Sequence, residues 1–299
     1  VKTTADAPAA GAPAGVPAAA DVLARSGAEN FPVASWVLGR RARSDLLALY
    51  GFARLVDELG DAIECDRLQA LDWAEAELGR AFHGEARHPV FVALQPVLRD
   101  HSLPREPFVR LIEANRVDQR VSRYQTWEQL QGYCRLSADP VGELVLGIFG
   151  AADPRRVRLS DSICTGLQLV EHLQDVAEDR DQGRIYLPME DLHRFGAGEQ
   201  DVFAASAGPA LREAIAFEVG RARGLLWGGR PLVAALPRRA GFAVAGFIAG
   251  GLAALSAIEQ AGHDVLQGAP RGGRGVFLGA LARTLAGRPG RGHCGPSPG

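Results

Sequence analysis

The chain has 299 residues, 47% of them apolar, and its 33 basic and 35 acidic side chains leave a formal charge of −2. That length can bury one large core at the upper end of single-domain size, and near-neutrality removes the electrostatic reason to expect a nucleic-acid partner. Four cysteines (Cys65, Cys134, Cys164 and Cys294) form no CxxC pair, which argues against a zinc cage and fits a reducing, cytoplasmic setting.

Residues 1–20, "VKTTADAPAAGAPAGVPAAA", read as a disordered leader with no apolar run long enough for a signal-peptide core. From there apolar residues recur at three and four, and the expected helices cover 43–63, 66–82, 90–100, 105–121, 126–150 with a break near Pro140, 155–181, 207–228, 231–262 and 275–285. "HGEARHP", "LPREP", "ADP" and "DQGR" punctuate them, and no alternating, strand-like run interrupts the series. Residues 240–258, "AGFAVAGFIAGGLAALSAI", are uncharged over nearly a membrane-spanning length. They are mostly Ala and Gly, which favour close helix packing, so a buried core helix is expected. Residues 285–299 read as a disordered tail, leaving 21–284 as one all-α domain.

Two acidic stripes interrupt the apolar pattern. In "LYGFARLVDELGDAIE", Asp57 and Asp61 lie one helical turn apart; in "LQLVEHLQDVAEDRD", Glu171, Asp175 and Asp179 repeat at four, with Gln168 on the same side. One such pair is ordinarily a solvated helix face. Two stripes among apolar residues, without a lysine or arginine at every matching position, call for cations, because unneutralised carboxylates facing a core are expensive. Mg²⁺ takes a few carboxylates together with substrate phosphate oxygens, so two facing stripes suit a diphosphate. A di-iron bundle would need Glu-x-x-His inside two helices; Glu85 with His88 abuts Pro89, and Glu190 with His193 follows Pro188 in an expected loop. A serine-hydrolase elbow, a Walker loop and a dinucleotide fingerprint are absent.

These residues resemble the squalene and phytoene synthases over about 29–271. "LYGFARLVDELGD" is similar to that family's first aspartate-rich motif, "LQLVEHLQDVAEDRDQGRIYLP" to the second with its Arg-x-Tyr-Leu-Pro ending, and "YCRLSADPVGELVL" to the helix lining the prenyl tunnel. The resemblance implies the all-α isoprenoid-synthase fold, a single helical domain around a central prenyl cavity. It implies metal ligation by Asp57, Asp61, Glu171, Asp175 and Asp179, with Glu171 standing where the family usually has Asn. Arg54, Tyr50, Gln168, Arg184 and Tyr186 would lie near the diphosphate, Arg54 in a catalytic role. Tyr133, Ala138, Val141 and Gly142 would shape the hydrocarbon cavity, the small residues leaving room. Phe31 and Phe52 are aromatic candidates for the same cavity, where a ring face stabilises a passing carbocation.

The stretch Ala28-Glu29-Asn30-Phe31 followed by Pro32-Val33-Ala34-Ser35, with Gln174 and Pro140, resembles the family's hopanoid-pathway subgroup. That resemblance implies ionisation of presqualene diphosphate and capture by water to give hydroxysqualene, with two or three diphosphate-bridged Mg²⁺ ions and no nicotinamide cofactor. Implied partners are the prenyl diphosphate and other squalene and hopanoid enzymes, at the inner face of the membrane or in the cytoplasm. The alternatives are a head-to-head condensing synthase of the same family and a non-catalytic relative serving as a scaffold.

Overall fold

The computed structural model describes residues 13, 15–19, 22, 39–63, 66–268 and 273–287. Among them there is no strand, only one isolated parallel bridge between Arg123 and Ile185. The chain divides into two compact units, Val1–Arg120 with Glu143–Ala152 and Val121–Gly142 with Asp153–Gly299. Phe31 and the Ala28–Ser35 stretch lie outside the described residues, as does most of the expected leader and the tail beyond residue 287.

The first unit is built on α1 (Arg40–Asp61), which packs against α2 (Arg67–Phe82), α3 (Pro89–Asp100) and α4 (Glu106–Asp118). Leu46, Leu49, Phe52, Leu55, Val56 and Leu59 recur at three and four along α1 and are all buried, the stripe that fixes which face turns inward. Phe52 is fully buried and meets Phe91 and Phe108 edge-on, with centroids 5.7 and 5.1 Å away. That environment is core packing. Asp66 caps α2 by accepting from the Gln69 N–H at 3.1 Å, and Pro89 opens α3 at a position where a missing N–H costs nothing. Buried Glu77 accepts from the backbone N–H groups of Arg87 and His88 and pairs with Arg80, so it pins the turn before α3. Glu85 is exposed and His88 buried, which separates that Glu-x-x-His pair.

In the second unit α5 (Trp127–Ser137) ends at Ala138, and α6 (Asp139–Ile148) begins at once, the unit boundary falling after Gly142. The expected break is thus two residues earlier than Pro140, because proline is tolerated in a first turn. Pro154–Gln174 forms α7 and Val176–Asp181 forms α8, splitting the expected 155–181 helix at Asp175. Two short helices follow that the periodicity did not predict, α9 (Met189–Arg194) and α10 (Glu199–Val202). Glu190 and His193 therefore lie on a helix rather than in a loop; the Glu190 carboxylate accepts from the Trp127 N–H at 2.6 Å, while His193 is exposed.

Next come α11 (Pro209–Gly229), α12 (Leu232–Ala235), α13 (Arg238–Gln260) and α14 (Arg274–Ala286). Leu236 and Pro237 separate α12 from α13, dividing the expected 231–262 helix. By length and composition α13 could cross a membrane, yet 67% of its apolar window is buried against neighbouring helices. Its glycines explain how: a Cβ on Gly241 would fall on the Val233 carbonyl oxygen, and one on Gly251 would crowd Leu167 and Leu226. Gly229 does the same for α11, where a Cβ would strike Ile163 and the Leu159 carbonyl of α7.

Candidate active site at two helix ends

In the first unit Asp57 and Asp61 occupy the last two turns of α1, and no basic residue shares its last turn. A helix C-terminus carries partial negative charge, so two carboxylates there oppose both the dipole and each other. The end is nevertheless firmly tied: Arg67 donates to the Asp61 carbonyl at 2.9 Å, and Gln119 donates to the Gly60 carbonyl at 2.9 Å and the Asn115 carbonyl at 3.0 Å. Asn115 on α4 donates to Asp57 Oδ1 at 3.2 Å. Asp57 is exposed to solvent, with protein close around it. Weakened hydration, opposed by the Asn115 hydrogen bond and reinforced by Asp61, moves its carboxyl up to about 7. Arg54, expected beside the diphosphate, binds buried Glu58 through Nε at 3.2 Å, and Tyr50 is half-buried on the same helix.

Gly60 makes the Asp57 contact possible, because a Cβ there would fall on Asn115 Oδ1. Gly60→Ala is therefore expected to destabilise by about 1–3 kcal/mol through overpacking and to lower activity by displacing Asn115. Gly79→Ala, in an open helical position, is the control and should stabilise by about 0.5–1 kcal/mol. Thermal melts and turnover on both variants check this; a Gly60→Ala protein as stable and active as the parent would remove Gly60 from the argument.

In the second unit Glu171 lies in the last turn of α7 and Asp175 caps it, so these two sit at a helix C-terminus, while Asp175 also opens α8 and Asp179 lies in the first turn of α8. Asp175 departs from helical geometry, at φ −101° and ψ 13°, yet its N–H donates to Glu171 O at 2.9 Å and its carbonyl accepts from the Asp179 N–H at 2.8 Å. The four-residue register survives the break. Burial and the charge of Glu178 raise the Asp175 carboxyl above its ordinary range. The abrupt "DQGR" ending is a glycine cap: Gly183 adopts φ +78°, its N–H donates to Arg180 O, and the Arg184 N–H donates to Asp179 O. Arg184 is half-buried just beyond.

The chain then runs beside 122–125: Ile185 N–H donates to Ser122 O, Met189 N–H to Tyr124 O and Glu190 N–H to Gln125 O. Arg123 adds bonds to the Gly183 carbonyl and Glu199. This pairing places Tyr186 against Tyr124, Tyr133 and His172, with ring centroids 5.7, 5.6 and 3.9 Å away. Gln168 lies 3.3 Å from His172 Nε2, and burial pushes the imidazole down to about 3, so the ring is neutral. The structure thus unites Gln168, Tyr133 and Tyr186, and adds Tyr124 and His172, which the sequence reading missed. A polar ring inside the buried face of α7 was the available signal for His172; Tyr124 arrives from a segment with no periodic pattern.

Ala138 is buried and Val141 half-buried. Gly142 does not leave open room as expected: its missing side chain is filled by Ser160 Oγ and Cys164 Sγ, allowing α6 to start close against α7. Asp139 accepts from buried Thr165 Oγ1 at 2.9 Å in the same packing layer. The Cys134 and Cys164 thiols, both free, are pushed up to about 12 by burial, with Asp139 adding repulsion, and are unreactive as nucleophiles.

Among the described residues no three or more His, Cys, Asp or Glu side chains come together closely enough to hold a metal ion by themselves, Glu171, Asp175 and Asp179 included. Pairs of crowded carboxylates at helix ends do fit Mg²⁺, which completes its octahedron with waters and substrate oxygens.

The squalene/phytoene synthase family profile matches residues 24–274. The chain is 39% identical over 211 residues to a hydroxysqualene synthase of Rhodopseudomonas palustris, covering 69% of this chain and 70% of that one. It is 33% identical over 211 residues to a phytoene synthase of Arthrospira platensis, covering 66% and 68%. Among solved structures, squalene synthase HpnC from Alicyclobacillus acidocaldarius superposes with a TM-score of 0.77 at 50% identity, covering 81% of this chain and 92% of that one. A dehydrosqualene synthase superposes at 0.81 with 22% identity over 90% and 95%, which speaks for the fold. The chain belongs to the squalene/phytoene synthase family, whose members are synthases that process prenyl diphosphates.

Proposed function

We propose that this protein ionises presqualene diphosphate and lets water capture the rearranged cation, releasing hydroxysqualene and diphosphate. The observation that carries the reading is the pairing of acidic residues with helix C-termini in both aspartate-rich motifs, an arrangement that favours divalent cations. Hydroxysqualene synthases at 39% and 36% identity, against 33% for a phytoene synthase, favour water capture over condensation.

In this reading Asp57 and Asp61 of one motif, and Glu171, Asp175 and Asp179 of the other, would hold Mg²⁺ together with substrate oxygens and water. When bound, the metal supplies positive charge to the leaving diphosphate. The carbon–oxygen bond breaks with both electrons going to the diphosphate, the cyclopropylcarbinyl cation rearranges, and water oxygen bonds to carbon with loss of one proton. No electrons are exchanged, so no nicotinamide cofactor is required. The clustered rings of Tyr124, Tyr133 and Tyr186 would give the cation an electron-rich, uncharged wall, and neutral His172 adds no competing charge to that cluster. Asn115 holds Asp57, while Gly183 and the 122–125 pairing hold the Arg184–Tyr186 segment.

Purified protein with Mg²⁺ should turn presqualene diphosphate into hydroxysqualene without reductant and leave farnesyl diphosphate untouched, as mass spectrometry of the products would show. Conversion of farnesyl diphosphate to presqualene diphosphate would make it the condensing enzyme instead. Inertness toward both substrates would favour another prenyl substrate or the scaffold role.

A further inference from the structure

Helix α14 turns an apolar face outward where a solvated helix would carry charge. Ala280 and Thr284 are fully buried, and Arg230 fastens the helix by donating to the Thr284 carbonyl at 2.7 Å. On the opposite side Leu278 and Leu285, seven residues apart and hence on one stripe, are 62% and 45% exposed, with exposed Ala282 between them. Arg274 precedes that stripe by one turn and shares its side, while Arg283 is exposed on another side of the helix. The neighbouring helix α13 begins with exposed Arg238 and Arg239 and then Phe242, 36% exposed.

Charge sorts along the sequence in the same sense. From Val265 to Gly299 there is no acidic residue, while Arg271, Arg274, Arg283, Arg288 and Arg291 all fall there. A chain that is net negative as a whole therefore carries a purely basic stretch around the two most exposed leucines among the described residues. Apolar side chains on the outer face of a helix, with Arg274 at the head of the stripe, Arg238 and Arg239 exposed on the neighbouring helix and no carboxylate on α14, match the acyl boundary and headgroups of an anionic bilayer. A protein partner would be expected to meet a rim of mixed charge instead.

We propose that the outer face of α14 is a membrane-docking surface that lays the helix flat on anionic lipid, Leu278 and Leu285 entering the acyl boundary and the arginines meeting headgroup phosphates. None of these residues is among those assigned to the reaction, and the test needs no turnover.

The full chain should co-sediment with vesicles of phosphatidylcholine doped with phosphatidylglycerol, bind pure phosphatidylcholine far less, and release as salt is raised. The double variant Leu278→Glu with Leu285→Glu should weaken binding by about tenfold or more, and Leu278→Ser with Leu285→Ser should also weaken it without placing charge on the helix. Arg274→Gln with Arg238→Gln and Arg239→Gln should remove the preference for anionic lipid. Failure of the full chain to bind, or equal binding by the serine variant, would overturn the proposal. So would a concentration-dependent dimer, seen by sedimentation velocity and abolished by the serine variant, in a chain that ignores vesicles; the face would then belong to a second copy.

Discussion

Asp57→Asn is expected to lower turnover of presqualene diphosphate by at least about 100-fold while leaving the thermal midpoint of the Mg²⁺-free protein unchanged or higher. The two halves of that result have separate causes. Asparagine can still accept from Asn115 Nδ2 through its own carbonyl oxygen, so the α1–α4 contact survives. It removes one of two like charges one turn apart at a helix end that disfavours both, which relieves repulsion rather than adding strain. Asp175→Asn should behave alike in the second motif, where the residue's backbone bonds to Glu171 and Asp179 do not depend on the side chain. Steady-state turnover and a melt on each variant check this. Wild-type turnover in both variants would defeat the metal-site reading, and a collapsed fold would make these carboxylates structural.

The largest stability effect is expected away from that site. Arg221 on α11 donates to Asp191 at 2.7 Å and to Glu218, lies 4.5 Å over the Trp127 ring and 4.8 Å over Phe217, and is the cation between two buried carboxyls. Arg221→Met should destabilise by about 3–5 kcal/mol, because it strips buried Asp191 of its counter-charge and buried Glu218 of its hydrogen-bond donor. Burial, partly offset by Arg221 and reinforced by Asp191, pushes the Glu218 carboxyl up to about 8 from an ordinary 4.5. The folded state then holds that proton more tightly than the unfolded chain. Its contribution is complete below about 4.5 and is lost as pH rises through about 8. Glu218→Gln should keep the bonds and flatten the decline in thermal midpoint between those limits. A variant that declines as steeply as the parent would place the titrating group elsewhere.

The helices were legible because the apolar stripes are. Leu46 to Leu59 on α1 announce both the helix and its buried face, and the aspartates stand out as departures from the stripe. The breaks were less legible, since Pro140 marks a discontinuity but, being allowed in a first turn, does not fix its position, and Asp175 interrupts the helix without losing the i to i+4 bonds. Short α9 gave no periodic signal; Pro188 caps it, and its place is set by bonds to Tyr124, Gln125 and Trp127. The role of Gly142 was misread for a related reason: a small residue in sequence looks like space, whereas in the structure it marks where two helices touch. Asn115 was hidden because what defines it is its reach to Asp57, 58 residues away.

Helix α13 carries Gly241, Gly246, Gly250 and Gly251 within 23 residues, each about 1 kcal/mol less favourable than alanine in a helix interior. Isolated, such a segment would scarcely hold a helical conformation; its order is borrowed from α7, α11, α12 and α14. Its backbone amides should therefore exchange with solvent only when that whole assembly opens, making α13 a reporter of cooperative unfolding in the second unit and a late arrival during folding. The same residues that let the helices touch make the central helix dependent on its surroundings for being a helix at all.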